Sequence, residues 1–306
     1  MATGSVEEFE AQRRRLFGLA YRLLGSAEEA EDVVQDAFLR WDGTDRAAIA
    51  TPAAWLAKVV TNLSLNRLTS ARARRERYVG PWLPEPVLTA DGALGPLETA
   101  EQRDSVSFAL LVLLEQLTPA ERAVYVLREA FDYRHREIAG VLELSETNTR
   151  QLHRRAARRL AEARPRLRPQ THQLQGLVER FLAAAGDGDL SGLEELLADE
   201  VTSWSDGGGK VTAARRPVVG REAVARLYAG LLAKAAAMVE VSVVEVNGEP
   251  AVLAWSGENL LAVLVLELDR DRIGGLRVVV NPDKLSFVTR QAASLSHPRR
   301  LSGPSR

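Results

Sequence analysis

A chain of 306 residues with 46% hydrophobic and 26% charged residues is long enough for two or three globular domains and too apolar to be disordered throughout. No apolar run reaches the roughly 20 residues of a membrane-spanning helix, and the lack of cysteine excludes disulfides, thiolate metal ligands and a cysteine nucleophile. Glu7, Glu8 and Glu10 precede any apolar stretch, unlike a signal peptide, so we expect a cytoplasmic protein without a membrane partner.

The net charge of -1 conceals strongly charged segments. Residues 26–36 contain five acidic residues and no basic one, whereas residues 58–77 contain six basic residues against Glu76. Residues 150–168 contain eight arginines against Glu162. Because exposed charges act over about one Debye length, roughly 10 Å, these segments act separately. One acidic and two basic faces indicate at least two kinds of partner.

Apolar residues at helical spacing predict the first two helices. One runs from about residue 6 to residue 24 and ends at Gly25, and a capping box of Ser26 and Glu29 begins the next. The second helix has a polar outer face that consists of Glu31, Asp32, Gln35 and Asp36. Acidic residues near a helix N-terminus also stabilise the helix through its macrodipole, so this face by itself indicates either helix stabilisation or a binding surface.

Thr51 and Pro52 begin a third predicted helix. Its apolar side includes Trp55, and its other positions carry Lys58, Asn62, Asn66 and Arg67 before an arginine-rich end. Such a helix can bind single-stranded nucleic acid by stacking and by neutralising phosphates. It can also be a core helix with a solvated end, and the position of Trp55 on the apolar side favours that interpretation of the tryptophan.

Residues 78–97 hold four prolines and three glycines and are predicted to form an irregular linker. The linker also carries large apolar side chains, among them Tyr78, Trp82, Leu83 and Val87. These are costly to expose together, so we predict that residues 82–86 dock against another domain. A leucine-rich helix around residues 110–114 follows.

The stretch from Thr118 to Arg168 predicts a helix-turn-helix. Thr118 and Glu121 form a capping box, a short helix follows around residues 138–142, and Ser145 caps a third helix. The polar and basic residues that point away from the apolar stripe of this third helix are Asn148, Arg150, Gln151, Arg154, Arg155 and Arg158. A helix fits the major groove, where its first turns reach base edges and later arginines neutralise phosphates. The alternative is a bundle with solvated arginines, but such surfaces usually mix both signs of charge.

From residue 169 onwards the pattern becomes α+β. Helices are predicted at 174–185, 190–197 and 220–235, and short strands at 201–204 and 210–214. A meander follows at about 239–245, 251–256, 260–268 and 273–280, with its first hairpin turn at Asn247 and Gly248. Helices on a bent antiparallel sheet form a cone, in which Trp204, Tyr228 and Trp255 either line a pocket or belong to the core.

Candidate catalytic residues are few in this part of the chain. No histidine lies between His172 and His297, and the main candidate for a buried acid is Asp206, which also fits a hairpin turn because three glycines follow it. The sequence DGGGK at 206–210 lacks the spacing of a P-loop. We therefore expect no enzyme activity, no cofactor and no metal site.

Three segments resemble, in the same order, bacterial sigma factors of the extracytoplasmic-function group. Two of them resemble region 2, namely RRRLFGLAYRLLGSAEEAEDVVQDAFLRW and TPAAWLAKVVTNLSLNRLTSARARRE. The third resembles region 4, namely LTPAERAVYVLREAFDYRHREIAGVLELSETNTRQLHRRAARRL. The resemblance implies that core RNA polymerase binds Glu31, Asp32, Gln35 and Asp36. It implies that the minus-10 element is bound by Lys58, Asn62, Asn66 and Arg67, and the minus-35 element by the residues pointing outward from the third helix of the helix-turn-helix. Asn66 and Thr69 depart from the aspartate and arginine usual in the family.

Three pentamers resemble motifs of the sigma-factor subgroup that carries a fused C-terminal SnoaL-like domain. They are WLPEP (82–86), DGGGK (206–210) and NPDKL (281–285). The resemblance implies a regulatory domain, and the residues expected to make regulatory contacts are Trp82, Leu83, Pro84, Asp206, Lys210, Asn281, Pro282, Asp283 and Lys284. An unidentified small ligand in the C-terminal pocket stays open as a further partner.

The chain is thus expected to be multidomain, with two all-α sigma domains followed by an α+β SnoaL/NTF2-like cone. The expected boundaries are 1–77 for region 2, 78–105 for the linker, 106–168 for region 4, 169–290 for the SnoaL-like domain and 291–306 for a disordered tail.

The expected function is transcription initiation at promoter DNA with core RNA polymerase, adjusted by the C-terminal domain. One alternative is a ligand-sensing helix-turn-helix regulator that does not act through core polymerase. Another is a cyclase or isomerase fused to a DNA-binding arm. The acidic helix and residues 62–77 favour the sigma factor over the regulator, and the cyclase or isomerase would need a catalytic pair that the sequence does not show.

Overall fold

The computed structural model describes residues 3–45, 49–75, 77–89, 92–94, 105–163, 171–235 and 239–294. The chain divides into two compact units. The first unit consists of residues 1–77 and 89–164, and the second consists of residues 78–88 and 165–306. Residues 78–88, which we call the strap, therefore lie between two helical segments in sequence but belong to the C-terminal unit in structure.

The first unit begins with a three-helix bundle. Its helices are α1 (Thr3–Leu24), α2 (Ala27–Asp42) and α3 (Pro52–Arg75). Gly25 ends α1 with a φ of 68°, and the Ser26 hydroxyl caps α2 by accepting a hydrogen bond from the Glu29 amide at 3.1 Å. The bundle buries large apolar side chains that include Phe9, Leu23, Val34, Trp41 and Leu56. The helix starts predicted at Ser26 and at Thr51–Pro52 are confirmed, and so is the expected all-helical class.

The predicted helix-turn-helix follows a short leucine-rich helix in the same unit. The elements are α4 (Phe108–Leu114), α5 (Pro119–Glu129), α6 (His135–Leu142) and α7 (Glu146–Ala163). Thr118 and Glu121 form the capping box of α5, and the Ser145 hydroxyl accepts a hydrogen bond from the Asn148 amide at the start of α7. Glu143 makes the tight turn between α6 and α7 with a φ of 56°.

Two buried arginines join the three-helix bundle to the helix-turn-helix. Arg122 on α5 is 2% exposed and donates hydrogen bonds to the Arg22 carbonyl of α1 at 3.1 and 3.0 Å. Arg22 is 3% exposed and donates to the Ser105 hydroxyl at 2.9 Å. Burial lowers the pKa of Arg22 to about 10 and that of Arg122 to about 9, so both stay cationic at neutral pH. The two helical parts therefore pack as one unit.

The Glu115 carboxylate provides the counter-charge at this junction. It accepts hydrogen bonds from Arg122 of α5 and from Arg75 at the end of α3. Its side chain is only 23% exposed. One carboxylate thus neutralises two guanidinium groups that come from different helices.

Replacing Glu115 should destabilise the first unit more than replacing an exposed glutamate. Glu115→Gln leaves two cations near the junction without their counter-charge, which we expect to cost about 3 kcal/mol. The matched control is Glu10→Gln, whose exposed ion pair with Arg13 is worth less than about 1 kcal/mol. Amide hydrogen exchange in α3 and α5 at increasing urea concentration measures the difference. Equal protection in the two variants would contradict this account.

The second unit is an α+β fold built on one six-stranded sheet. Its elements are α8 (Thr171–Gly186), α9 (Leu190–Leu196), β1 (Leu197–Asp206), β2 (Val218–Val219), α10 (Arg221–Ala235), β3 (Glu240–Val246), β4 (Glu249–Ser256), β5 (Asn259–Asp269), β6 (Arg272–Val279) and α11 (Pro282–Ser294). The strand order is β2-β1-β6-β5-β4-β3, with β1 parallel to β6 and the other neighbours antiparallel. The predicted meander and the α+β class are confirmed.

One predicted strand is wrong. Residues 210–214 form a turn and an irregular loop, and the short edge strand is Val218–Val219 instead. The turn at Gly208 and Gly209 extends into the predicted strand, because the Lys210 amide donates a hydrogen bond to the Gly207 carbonyl at 3.0 Å. The two glycines have φ angles of 57° and 73°. Such left-handed backbone interrupts an extended chain.

An apolar cluster fills the space between one side of the sheet and helices α8, α9 and α10. It includes Phe181, Leu193, Val201, Tyr228 and Leu266. The Tyr228 hydroxyl shares a hydrogen bond with the Ser203 hydroxyl at 3.0 Å, and burial raises the pKa of this phenol. Tyr228 and Trp255 are both buried, so the core interpretation holds for these two aromatic residues, whereas Trp204 stacks under the Arg277 guanidinium.

The helix α11 was not predicted from the sequence. It packs against β5 and buries Leu285, Phe287 and Val288. The helix extends to Ser294, so residues 291–294 are helical although we expected them in a disordered tail. Residues 295–306 of that expected tail lie outside the described residues.

Candidate nucleic-acid interface and linker latch

The buried carboxylate of Asp206 organises the second unit's contact with the strap. Asp206 is the last residue of β1 and is 0% exposed. It accepts hydrogen bonds from the Tyr78 hydroxyl at 2.5 Å, from the Leu83 amide at 2.7 Å and from the Lys284 ammonium at 2.7 Å. Two of the three donors belong to the strap and the third to α11. A single acid therefore joins all three segments that carry the pentamers.

The Lys284 ammonium lies in an aromatic and carboxylate cage. Its side chain is 8% exposed, and it also donates a hydrogen bond to the Leu83 carbonyl. The ammonium nitrogen lies 4.7 Å from the ring centroid of Tyr78 and 4.3 Å from that of Trp82. Cation–π attraction is stronger at such a desolvated site than at an exposed one. The strap thus contributes both hydrogen bonds and aromatic faces to one buried cation.

Tyr78 has a raised pKa. Burial is the main cause, and the hydrogen bond and negative charge of Asp206 act in the same direction. The phenol therefore stays protonated and remains a donor to Asp206. Its oxygen in turn accepts a hydrogen bond from the Asn281 side-chain amide at 2.8 Å.

The glycines of DGGGK are required by the close approach of these groups. A Cβ atom at Gly208 would lie 2.3 Å from the Asn281 amide nitrogen and 2.8 Å from the Tyr78 hydroxyl. Asn281 is held in place because its backbone amide donates to the Asp206 carbonyl at 2.9 Å. On the surface, Lys210 forms an ion pair with Asp283. We call Tyr78, Trp82, Asp206, Asn281 and Lys284 the latch.

The far end of the strap is fixed by a second set of contacts. The Val87 amide donates to the Asn247 side-chain oxygen at 3.0 Å, and the Asn247 amide donates back to the Val87 carbonyl at 2.9 Å. The Leu88 amide donates to the Gln291 side chain at 2.9 Å. Leu83, Pro84 and Val87 are buried, whereas Pro282 is exposed in the first turn of α11. The strap is therefore held at both ends.

The expected minus-35 residues share the outer side of α7. Arg150, Gln151, Arg154, Arg155 and Arg158 are exposed, and Asn148 is half-buried near the start of the helix. Arg150 and Arg158 form exposed ion pairs with Glu146 and Glu162, each four residues away. The opposite side of α7 buries Thr149, Ala156 and Leu160.

The expected minus-10 residues are less available than the sequence predicts. Asn66 is exposed and Asn62 is half-buried on α3. Lys58, in contrast, forms an ion pair at 3.1 Å with Glu143 in the turn of the helix-turn-helix. Arg67 donates hydrogen bonds to Asp32 at 3.0 Å and to Asp36 at 2.8 Å. The structure thus joins one expected DNA-binding residue to two of the acids expected to bind polymerase.

The acidic face of α2 is solvent-accessible apart from these pairs. Glu31, Asp32 and Gln35 are exposed, and Asp36 is partly exposed. Leu39 is 63% exposed on the same helix. Exposed carboxylates can attract a protein partner with basic groups, whereas a single exposed leucine needs no such explanation.

A cavity of about 350 Å³ lies beside the strap within the second unit. Val79 and Gly80 of the strap line one side, and the loop that follows β1 lines the other with Lys210, Thr212 and Arg215. Among the described residues, no group of three or more histidine, aspartate or glutamate side chains could hold a metal ion. No helix in the described part of the chain is long and apolar enough to cross a membrane.

Three protein-family models match this chain, two in the helical unit and one in the α+β unit. Sigma-70 region 2 matches residues 9–74, Sigma-70 region 4 matches residues 107–160, and the SnoaL-like domain matches residues 178–271. The three-helix bundle, the helix-turn-helix and the α+β unit are therefore region 2, region 4 and a SnoaL-like domain. These features define the class of RNA polymerase sigma factors that recognise promoters and initiate transcription.

Within that class the chain belongs to the extracytoplasmic-function (ECF) sigma factors. It is 43% identical over 232 residues to the ECF RNA polymerase sigma factor SigJ of Mycobacterium tuberculosis, covering 74% of this chain and 73% of SigJ. It is 32% identical over 279 residues to the probable ECF RNA polymerase sigma factor SigI of that organism, covering 90% and 93%. The crystal structure of M. tuberculosis SigJ matches with a TM-score of 0.73 and 35% identity over 92% of this chain and 98% of SigJ.

Several residues of these sites were not identified from the sequence. Tyr78 was recognised only as an apolar linker residue and Asn247 only as a turn residue. Gln291 was assigned to the tail, and Glu115 had no assigned role. The start of α11 did carry a signal, because Asn281 and Pro282 have the N-cap and first-turn preferences of a helix.

A pair of histidines connects α6 and α7. The rings of His135 and His153 lie 5.4 Å apart, and His153 is hydrogen-bonded to Glu129 at 2.8 Å. Burial and then the charges of His153, Arg128 and Arg150 lower the pKa of His135, although Glu146 acts in the opposite direction. Because the folded pKa is below the unfolded value of about 6.5, the unfolded state takes up a proton first as the pH falls.

Acidification should therefore loosen the helix-turn-helix. Amide hydrogen exchange in α6 and α7, corrected for intrinsic rates, should show protection that falls between pH 7.5 and pH 5.5 in the wild type. His135→Gln removes the titrating group and should show a smaller loss of protection over this range. The same acid sensitivity in both proteins would show that His135 is not the cause.

Proposed function

We propose that the three charged surfaces of this sigma factor have separate partners. The outer side of α7 reads the minus-35 element as duplex, the polar side of α3 binds the minus-10 element, and the acidic face of α2 binds core RNA polymerase. The exposed run of arginines on α7 supports the first assignment, because such a helix neutralises phosphates while its first turns reach base edges. The exposed carboxylates of α2 support the third, because they can attract a partner with basic groups.

We further propose that regions 2 and 4 are packed together in a resting form. The proposal is supported by the Lys58–Glu143 ion pair and by the buried hydrogen bonds from Arg122 to the Arg22 carbonyl. Two DNA elements separated along a duplex cannot both be bound while Lys58, an expected minus-10 residue, is held against the turn of the helix-turn-helix. Promoter binding therefore requires regions 2 and 4 to separate.

The SnoaL-like domain adjusts activity by holding the strap. The observation that carries this proposal is the latch, in which a buried acid and a buried lysine of the C-terminal domain bind the connection between regions 2 and 4. While the latch is closed, the strap cannot serve as free linker. Opening the latch lengthens the connection and makes the separation of the two regions less costly.

We infer no catalytic role and propose no small ligand for this domain. Asp206 already accepts three hydrogen bonds, one of them from Lys284, so it is not available as a general base. The cavity beside the strap is lined largely by loop residues, and its Lys210 is engaged with Asp283. The domain thus acts through contacts with the chain itself.

The minus-35 assignment predicts two different effects along α7. Gln151→Ala removes a side chain near the start of the helix and should relax specificity at one base pair by about 1–3 kcal/mol. Arg155→Ala should weaken binding to all sequences alike and lower the salt slope of binding by about 1. The exposed Arg216 of the second unit provides the control Arg216→Ala. Binding of holoenzyme to a set of minus-35 variants at several salt concentrations measures both effects.

The assignment would be wrong if Gln151→Ala left the base preference unchanged, or if Arg216→Ala lowered the salt slope as much as Arg155→Ala.

The proposal for the latch predicts higher activity when it is weakened. Trp82→Ala removes an aromatic face from the Lys284 cage without removing a charge from the SnoaL-like domain, and we expect transcription to rise about threefold or more because separating regions 2 and 4 becomes less costly. Arg226→Ala breaks an exposed ion pair with Glu222 on α10, away from the latch, and serves as the control, with little change. Run-off transcription with core polymerase measures the rate. Unchanged or lower transcription with Trp82→Ala would count against the proposal.

A further inference from the structure

The second unit is joined to the first at three points of the chain. Residue 77 precedes the strap, residue 89 follows it, and the third connection runs through residues 164–170 between α7 and α8. The first two connections lie on either side of the strap, so their length depends on whether the strap is bound. The latch therefore decides how the DNA-binding regions are tethered.

The bound strap leaves little slack on the side of region 2. Helix α3 ends at Arg75, and Tyr78 is already fixed by its hydrogen bond to Asp206. At the other end, Leu88 is fixed by Gln291 and by a bridge to Val246 of β3. With the latch closed, region 2 is thus attached to the SnoaL-like domain almost directly.

The length of the connecting segments sets the largest distance that can separate region 4 from the SnoaL-like domain, whatever conformation these segments adopt. Residues 164–170 can span about 25 Å at most, and residues 89–107 can span about 65 Å. If the strap were released, regions 2 and 4 would be connected by residues 78–107, which can extend to about 100 Å. When the latch is closed, both regions are tethered to the SnoaL-like domain, and these tethers limit the distance between them. When it is open, the connection between regions 2 and 4 is a long linker that allows a much larger distance.

We propose that the closed latch makes the SnoaL-like domain a gauge of promoter spacing, so that Tyr78, Trp82, Asp206 and Lys284 determine which spacer lengths are accepted. This inference rests on the proposed roles of regions 2 and 4. Each added base pair moves the two elements about 3.4 Å apart and rotates them by about a tenth of a turn. Two short tethers to one folded domain limit both the distance and the rotation, and one long linker limits neither.

The test is transcription by holoenzyme that contains the full-length protein. The templates carry one promoter whose spacer is shortened or lengthened by up to three base pairs, and each protein's signal is normalised to its own best spacer. The wild type should lose at least about tenfold at two base pairs from the best spacer, because the DNA must twist or bend to compensate. Tyr78→Phe combined with Trp82→Ala should lose less than about threefold there, since the end of the strap next to region 2 loses its hydroxyl and aromatic contacts with Asp206 and Lys284.

The control is again Arg226→Ala, which should keep the narrow profile of the wild type. These substitutions leave Asp206 and Lys284 in place and do not touch the apolar cluster under helices α8, α9 and α10, so the SnoaL-like domain should remain folded. A profile as narrow in the strap variant as in the wild type would overturn the proposal. A loss of activity in equal proportion at all spacers would also overturn it, because it would indicate a merely structural role.

Failure of the underlying function would look different. If wild-type holoenzyme initiated at no spacer length, or if changing the minus-35 and minus-10 sequences had no effect, the assignment of regions 2 and 4 would fail before the gauge was tested. If initiation and both sequence preferences are intact, the width of the spacer profile reports on the latch alone.

Discussion

The buried ion pair between Asp206 and Lys284 is the interaction on which the organisation of this chain depends. The desolvation penalty of burying two opposite charges offsets much of their attraction, so the pair by itself adds little net stability. Each charge is compensated only when the strap is present, since the strap supplies the Tyr78 hydroxyl, the Leu83 amide and carbonyl, and two aromatic faces. The pair therefore specifies which segment docks on the SnoaL-like domain, because another apolar segment would leave a buried charge without its partners.

Local signals predicted most of the elements, and the failures have local causes as well. Thr118 with Glu121, Ser145 and the Asn247–Gly248 turn are each satisfied within a few residues, so their structure can be derived from sequence alone. The strand predicted at 210–214 fails because alternation after Gly209 does not reveal that the preceding glycines are left-handed. The helix α11 was missed although Asn281 and Pro282 begin it, because the pentamer was interpreted as a motif rather than as a helix start.

The sequence predicted which residues belong to the candidate sites, but not which of these residues form ion pairs with one another. The periodicity of a helix shows which side Arg67 or Lys58 occupies, but not that Arg67 meets Asp32 and Asp36 or that Lys58 meets Glu143, since these partners come from other helices. Arg22 and Arg122 are harder still to predict. An arginine is usually exposed, and only the packing of α1 against α5 makes these two part of the core. Pairing of long side chains across the chain requires tertiary structure.

Ion pairs at the surface of this protein can exchange their partners, whereas the buried ion pair of the latch stays fixed. The pairs of Arg67 with Asp32 and Asp36, and of Lys58 with Glu143, are exposed, and each is worth at most about 1 kcal/mol. Polymerase or promoter phosphates can replace such partners at little cost, since both sides of the exchange are solvated. The latch is buried and cannot exchange its charges with an external partner without first exposing them. With the proposed assignments, such a sigma factor can release these residues to DNA and polymerase while its SnoaL-like domain keeps hold of the chain between them.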